Sequence, residues 1–295
     1  MSVSIQLIIN GISIGAVYAL IGAGFALVFG VLKFSNFAHG SVISACAYAG
    51  YIFQSSIQPT PPFWVTAAVC CLAGMALTYL VDLLVYQRLR AKESNSLFFF
   101  LASVTFAILI DQILTVNFGT KMYGYPPLFE ISTLTFLDIT FSKMDMTMLA
   151  IAVVFLLLLI VLLEHTRIGL AIRAVAINSR VSRLMGINAS LMVTGTLVIA
   201  GFLGGITGLM MGIKYTIYPA LGSSMMMKGF IASTIGGLGS LNGTIFAAVL
   251  LGIVEIICAY YLGAEITPVV LFGIMLIFLL IRPQGLAGRF AQDRA

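Results

Sequence analysis

The sequence predicts an all-α fold, a polytopic bundle of transmembrane helices. Of its 295 residues, 61% are hydrophobic and 8% are charged, whereas an ordinary soluble domain carries about 25% charged residues. The apolar residues also form long runs, several of them near the roughly 20 residues that a helix needs to cross a hydrocarbon core of about 30 Å. Together these observations indicate that membrane lipid is the solvent for most of the surface.

Nine apolar segments are predicted to be membrane segments, within a range of eight to ten. The first segment is long for one crossing, so it must tilt or break near Gly22 and Gly24. The seventh is short, rich in glycine and carries Lys228, so it is either a crossing or a re-entrant element. The nine segments are residues 5–32, 36–53, 62–86, 97–118, 146–163, 191–213, 225–241, 244–262 and 266–281.

Positive charge is divided unevenly between the two ends of the predicted spans, with eleven lysines and arginines at one end and three at the other. Because loops rich in positive charge stay in the cytoplasm, the N-terminus is predicted outside and the C-terminus cytoplasmic, which requires an odd number of crossings. The eleven are Lys33, Arg88, Arg90, Lys92, Arg167, Arg173, Arg180, Arg183, Arg282, Arg289 and Arg294, and the three are Lys121, Lys143 and Lys214.

Several other classes of protein are disfavoured. The formal net charge is +5, but the basic residues are scattered and form no patch with interleaved aromatic residues, so nucleic-acid binding is not expected. The four cysteines lie in apolar runs without metal-ligand spacing, so no metal or other cofactor is expected. No lysine or arginine precedes Lys33, which argues against a cleavable signal peptide. Residues 1–295 are predicted to form a single transmembrane domain.

The longest inward-facing loop, at about residues 164–190, is predicted to contain a short amphipathic helix from about 169 to 184. Its apolar residues recur at helical spacing, while three arginines occupy other faces. Such a helix lies either on anionic lipid or against a soluble partner, and periodicity does not separate the two. Gly186 is predicted to end it in a left-handed conformation. The apolar residues are Leu170, Ala174, Ile177, Val181 and Leu184.

The same loop contains one set of residues at its start and a second set at its end, namely Gly169, Ala171, Arg173, Ala174, Ala176 and Asn178, followed by Gly186, Ile187 and Asn188. These residues resemble the ATPase-coupling loop of ABC importer permeases, and most closely the branch that serves branched-chain amino acids. In that family the loop inserts into a groove on the ATPase subunit, and in this chain Arg173 and Arg183 are available for carboxylates on such a partner. The chain has no GxxxxGK[ST] motif, so ATP hydrolysis is expected on separate subunits and the chain itself is not an enzyme.

Further matches, in the same order along the chain, are similar to the H-type permease of leucine/isoleucine/valine importers. They include the run from Asn36 to Gly40 and the segments 236–240, 251–255 and 282–286. The resemblance implies a bacterial or archaeal cytoplasmic membrane, two ATP-binding subunits, a second, related but different permease chain, and an extracytoplasmic binding protein. It implies transport of branched-chain or other small amino acids.

Two departures leave the substrate open among amino acids, amides and urea. Asp111-Gln112 stands where the family more usually has Gln-Asn, and residues 225–227 are three consecutive methionines.

Six residues are candidates for the translocation pathway or for structural roles beside it. Asn36 is expected to cap the second span. Asp111 and Glu255 lie within spans, where an isolated carboxylate costs several kcal/mol, so each must face the bundle, water or a partner. The six are Asn36, Phe37, His39, Gly40, Asp111 and Glu255.

Two other functions remain as alternatives. A self-sufficient secondary transporter needs coupling-ion sites near the midplane, for which Asp111 and Glu255 are the candidates. An intramembrane enzyme is disfavoured because the chain has neither an HExxH nor a GxSxG motif.

Overall fold

The computed structural model describes residues 2–57, 61–126, 133–136 and 139–287, and within them the chain is helical apart from one antiparallel hairpin. A π-helical turn, Asp82–Tyr86, joins α3 to α4. The strands are β1 (Thr133–Phe136) and β2 (Ile139–Ser142). The helices are α1 (Ser2–Leu32), α2 (Ala38–Ser56), α3 (Phe63–Val81), α4 (Gln87–Ala91), α5 (Ser96–Phe118), α6 (Lys143–His165), α7 (Arg167–Ile177), α8 (Ser179–Leu184), α9 (Ala189–Lys214), α10 (Leu221–Gly236), α11 (Leu241–Leu262) and α12 (Thr267–Ile281).

Each of the nine predicted segments coincides with a helix: α1, α2, α3, α5, α6, α9, α10, α11 or α12. Six helices in the described part of the chain are long and apolar enough to cross a membrane by themselves. Helices α2, α10 and α12 are not among those six. Most residues of α2 and α10 are buried against other helices, so they can be shorter or more polar than a helix that faces lipid.

Helix α1 is continuous from Ser2 to Leu32, so the alternative of a break near Gly22 and Gly24 is wrong. It packs mainly against α11, α9, α10 and α6, and Tyr18, Ile21 and Phe25 are fully buried. A helix that is apolar on every face can be buried inside a bundle, where all of its faces pack against neighbouring helices. This explains why the most apolar part of α1 does not face lipid.

Glycines allow the closest helix contacts. A Cβ on Gly252 of α11 would lie 2.5 Å from the carbonyl oxygen of Gly11 and 2.5 Å from Cα of Gly15, both in α1. In α3 and α9, Gly74 and Gly201 approach so closely that neither could carry a Cβ. Since lipid gives helices no hydrophobic reason to associate, such contacts are an important source of packing energy.

The positively charged segments collect at one end of the bundle. A cluster of buried side chains there joins the end of α1, the π-helical turn, the start of α5, helix α7 and the start of α9. At the opposite end, Lys214 pairs with Asp145 at 2.5 Å, and Tyr123 forms a β-bridge with Ile217. Loops that the sequence assigns to opposite sides are therefore separated in the fold.

The segment after α12 returns to the positively charged end. The backbone N–H groups of Leu286 and Ala287 donate to the carbonyl oxygens of Ile235 and Gly236 at the end of α10. Gly285, with φ +78°, packs against the backbone of Gly237. These contacts hold Arg282 and its neighbours against the turn that follows α10.

Candidate functional site

The loop that resembles a coupling element contains two helices, α7 and α8, and not the single helix predicted for about 169 to 184. The break is at Asn178, whose backbone is extended with φ −155° and ψ 104°. Its side-chain oxygen accepts hydrogen bonds from the N–H groups of Arg180 at 3.0 Å and Val181 at 3.1 Å. Asparagine caps a helix well and competes with the backbone inside one, so it interrupts the periodic pattern here.

The ends of this segment are fixed by local hydrogen bonds. Thr166 caps α7 by accepting from the N–H of Gly169, and Asn188 caps α9 by accepting from the N–H of Leu191. Gly169 lies so close to the carbonyl groups at the end of α6 that a Cβ could not fit. Gly186 has φ +82°, which confirms the predicted left-handed conformation.

The apolar residues of the predicted stripe other than Ala174 are exposed and point away from the bundle. Ile177 and Leu184 are each 87% exposed, and the arginines at 173, 180 and 183 are exposed as well. Ile172 and Val175 face inward and are buried, which anchors α7 to the bundle. Ala174, Ala176 and Ile187 are half-buried. The segment thus presents apolar and cationic side chains on its outer surface.

The sequence suggested that Asn36 caps α2, and this prediction is wrong. The N-cap of α2 is Phe37, which makes no side-chain capping bond. Asn36 is buried and its side-chain oxygen accepts a hydrogen bond from the Tyr86 hydroxyl at 3.0 Å. The bond ties the start of α2 to the π-helical turn.

The neighbouring residues bring α2 against three other helices. His39 is buried between Gly24 of α1 and Gly204 of α9, and its Nε2 has no hydrogen-bond partner among the described residues. Gly40 allows the backbone of α10 to approach, since a Cβ there would lie 2.7 Å from Cβ of Met226. The structure gives both residues close packing contacts.

Glu255 faces the bundle, where it meets two groups that the sequence did not connect to it. Its Oε1 lies 2.5 Å from Nζ of Lys228 and accepts a hydrogen bond from the Tyr18 hydroxyl at 3.1 Å. Lys228 also donates to that hydroxyl at 2.8 Å. This Lys228–Glu255–Tyr18 cluster joins α10, α11 and α1.

Asp111 connects α5 to α10 and α2 through hydroxyl groups. Its Oδ2 accepts from Ser223 Oγ at 2.8 Å, and that hydroxyl lies 3.3 Å from Ser41 Oγ. Its Oδ1 has no partner within the described chain. The two candidate carboxylates therefore lie on different sides of α10, and the structure does not bring them together.

Asp82 is an important residue that the sequence did not single out. It is fully buried and binds Arg90 through both oxygens at 2.7 and 3.1 Å. Thr194 of α9 also donates to it at 2.5 Å. The eight-residue spacing to Arg90 is the only local signal that could have indicated the pairing.

Comparison with known proteins agrees with this architecture. High-affinity branched-chain amino acid transport system permease LivH of Salmonella typhimurium (strain LT2) is 28% identical, over 97% of this chain and 96% of the relative. The corresponding BraD of Pseudomonas aeruginosa is 27% identical over the same shares. PsaBC from Streptococcus pneumoniae, solved in complex with Fab, has a similar fold, with a TM-score of 0.50 and 12% identity over 95% of this chain and 91% of that one.

The family described as branched-chain amino acid transport system / permease component matches residues 7–280. The match covers both the packed helices and the α7–α8 segment. This multi-pass membrane protein, a transport subunit, belongs to the branched-chain amino acid transport system permease family.

Proposed function

We propose that this chain is the membrane-spanning permease subunit of an ATP-driven importer and conducts branched-chain or other small amino acids. The observation that carries the proposal is the outward-facing apolar and cationic surface of α7 and α8, in a chain of this family. Exposed apolar side chains at this density are typical of an interaction site. A helical element of this kind is well suited to transmit motion from a soluble motor to the bundle.

The proposed partners follow from this role. Two ATP-binding subunits contact α7 and α8, a second, related permease chain completes the membrane domain, and an extracytoplasmic binding protein delivers substrate. The complex works in the cytoplasmic membrane of a bacterium or archaeon. The secondary-transporter alternative is disfavoured. Glu255, one of the two carboxylates proposed to couple an ion in that mechanism, already forms an ion pair with Lys228.

The proposed topology has nine crossings, with the N-terminus outside and the C-terminus cytoplasmic. The grouping of the positively charged segments at one end supports it, since lysine and arginine favour the cytoplasmic side. At the other end Lys214 pairs with Asp145, so two of the segments that this topology assigns to the outside lie together. Helix α10 runs from the Tyr215 side to the Gly239 side, which supports counting it as a crossing despite its 16 residues.

This topology predicts the location of reporter fusions. A reporter fused after Ala295 is expected to be active in the cytoplasm, while one inserted in the loop 119–145 is expected to be active outside. The measurement is a pair of alkaline phosphatase and green fluorescent protein fusions at each site. An external C-terminus would contradict the odd number of crossings.

If the outward-facing surface of α7 and α8 binds the ATP-binding subunit, substitutions on it are expected to impair assembly of the complex while leaving the fold intact. Ile177→Asp and Leu184→Asp are expected to reduce recovery of the ATP-binding subunit at least tenfold, because each places a carboxylate on the proposed contact. Ala174→Asp and Gly186→Val are expected to weaken it as well, the latter because valine disfavours a positive φ. The measurement is pull-down from detergent-solubilised membranes, followed by substrate-stimulated ATP hydrolysis in vesicles.

Leu262→Asp is the matched control, since Leu262 is an exposed leucine at the opposite end of the bundle. It should keep full recovery of the complex. If all four coupling variants also recover the ATPase normally, α7 and α8 are surface helices on lipid. Uptake by the isolated wild-type chain, driven by a proton or sodium gradient, would favour the secondary transporter.

A further inference from the structure

The geometry points to a substrate pathway along the seam where α2, α5 and α10 meet, with Asp111 receiving the ammonium group of the substrate and an aromatic cluster closing the inner end. We define the pathway seam by two sets of residues. The polar set is Ser41, Asp111, Gln112 and Ser223, and the aromatic set is Phe37, Phe100 and Phe230. The inference rests on the proposed function and adds to it a route and a recognition group.

The polar set contains a carboxylate without a positive partner. Asp111 forms none of the ion pairs found in the described chain, and Oδ1 accepts no hydrogen bond there. It lies 16 residues into the 23 of α5, which is roughly 10 Å from the end of the helix at 1.5 Å per residue. A half-exposed carboxylate at that depth requires water or a cation. The α-ammonium group of an amino acid is a cation of suitable size.

Gln112 places a polar side chain on an exposed face of α5 whose neighbouring residues, Ile108, Leu109 and Val116, are apolar. Its side chain is exposed, and within the described part of the chain its amide has no hydrogen-bond partner. An unpaired amide in hydrocarbon costs several kcal/mol. Helix α6 differs in having no such polar side chain beside its exposed residues Val154, Leu157 and Leu158, as expected of a surface in lipid.

The aromatic set lies further along the same helix faces. Phe37 contacts Phe100 and Phe230, with both pairs of ring centroids 5.8 Å apart. Phe230 follows Ser223 by seven residues, and Ser41 follows Phe37 by four, so each pair shares one face of its helix. All three rings are half-buried. They form an apolar closure beyond the polar set.

Hydrogen bonds make the seam continuous between its two ends. The N–H of Phe37 donates to Ser103 Oγ at 3.3 Å, and Ser41 Oγ donates to the carbonyl oxygen of Ala107 at 3.0 Å. The half-buried Met227 lies between Ser223 and Phe230 on α10, and methionine offers a deformable apolar wall. A substrate would leave its polar contacts at Asp111 and pass the rings once the helices separate.

Accessibility to a charged thiol reagent tests the route without assuming what drives transport. In a Cys258→Ser background, Gln112→Cys is expected to react with an impermeant methanethiosulfonate, added from outside, at least ten times faster than Leu157→Cys. The three remaining native cysteines are buried. Equal, slow labelling of both variants would overturn the pathway seam.

The role of Asp111 is tested in the complete reconstituted complex. Asp111→Asn is expected to reduce uptake of a leucine, isoleucine and valine mixture at least tenfold, with recovery of the complex at the wild-type level and partial rescue by Asp111→Glu. Wild-type uptake by Asp111→Asn would overturn ammonium recognition. A wild-type chain that binds no ATPase would instead contradict the proposed function, while the labelling contrast would still decide the route.

Discussion

The Glu255→Leu variant is expected to melt on the order of 10 °C below the wild-type protein, the largest loss we expect from a polar substitution. The change leaves the Lys228 ammonium group in the bundle without the carboxylate that lies 2.5 Å away. Removing one partner of a buried ion pair typically destabilises a protein by about 3–5 kcal/mol, because the remaining charge stays desolvated and unpaired. The measurement is thermal unfolding of the purified protein in detergent, followed by fluorescence-detected size exclusion.

The double variant Lys228→Met/Glu255→Leu separates the pair itself from the unpaired charge. We expect it to recover at least half of the lost melting temperature, because replacing both charges with apolar groups is often close to neutral. Tyr18→Phe removes only a hydroxyl and is expected to cost about 1 kcal/mol. A double variant as unstable as Glu255→Leu would show that packing around the cluster, and not its charge balance, determines stability.

The same double variant also distinguishes a structural role from a pathway role. If it folds and its complex transports at the wild-type rate, the Lys228–Glu255–Tyr18 cluster acts only to hold α1, α10 and α11 together. If it folds but no longer transports, the cluster takes part in the movement of α10. Stability and uptake therefore have to be measured on the same preparation.

Gly252→Val is expected to lower the melting temperature by a similar amount, for a steric reason. A Cβ at this position would lie 2.5 Å from backbone atoms of Gly11 and Gly15, and backbone cannot move aside as a flexible side chain can. The two helices must separate along their contact, which is the most extensive between any two helices in the described structure. Overpacking costs about 1–3 kcal/mol, and more where the neighbours are rigid.

Gly195→Val is the matched control for this substitution. Gly195 is also in a helix, but a Cβ there meets nothing within 4 Å. The intrinsic effect of placing valine in a helix is therefore present in both variants, and the difference between their melting temperatures measures the packing of α1 against α11. Equal melting temperatures would contradict the close approach of these helices.

The class of fold and the position of each long helix could be predicted from the amino-acid sequence. Apolar runs near the length of a span can be recognised locally, because every backbone N–H and C=O in lipid must be satisfied within the helix. The amphipathic segment at about residues 169–184 was located by the helical spacing of its apolar residues. The left-handed conformation of Gly186 could also be predicted, because it depends on local backbone freedom. Its positive φ agrees with the prediction.

The periodic pattern predicted the wrong helix boundaries where one polar side chain forms hydrogen bonds that end a helix. The stripe from Leu170 to Leu184 has helical spacing throughout, yet Asn178 ends one helix and caps the next. Periodicity also could not tell which way the stripe points. The outward direction of Ile177 and Leu184 depends on which residues of α7 fit against the bundle, a property of the surrounding helices.

The partners of the polar groups inside the bundle could not be predicted from the sequence, because they depend on how the helices pack. Glu255 meets a lysine 27 residues away and a tyrosine 237 residues away, and Asp111 meets Ser223 across 112 residues. No local rule encodes such distances, because each pairing depends on how separate helices lie side by side. The sequence showed that these carboxylates needed partners, since unpaired charge is unfavourable in lipid, and the packing of α10 between α1, α2 and α11 determined which partners they found.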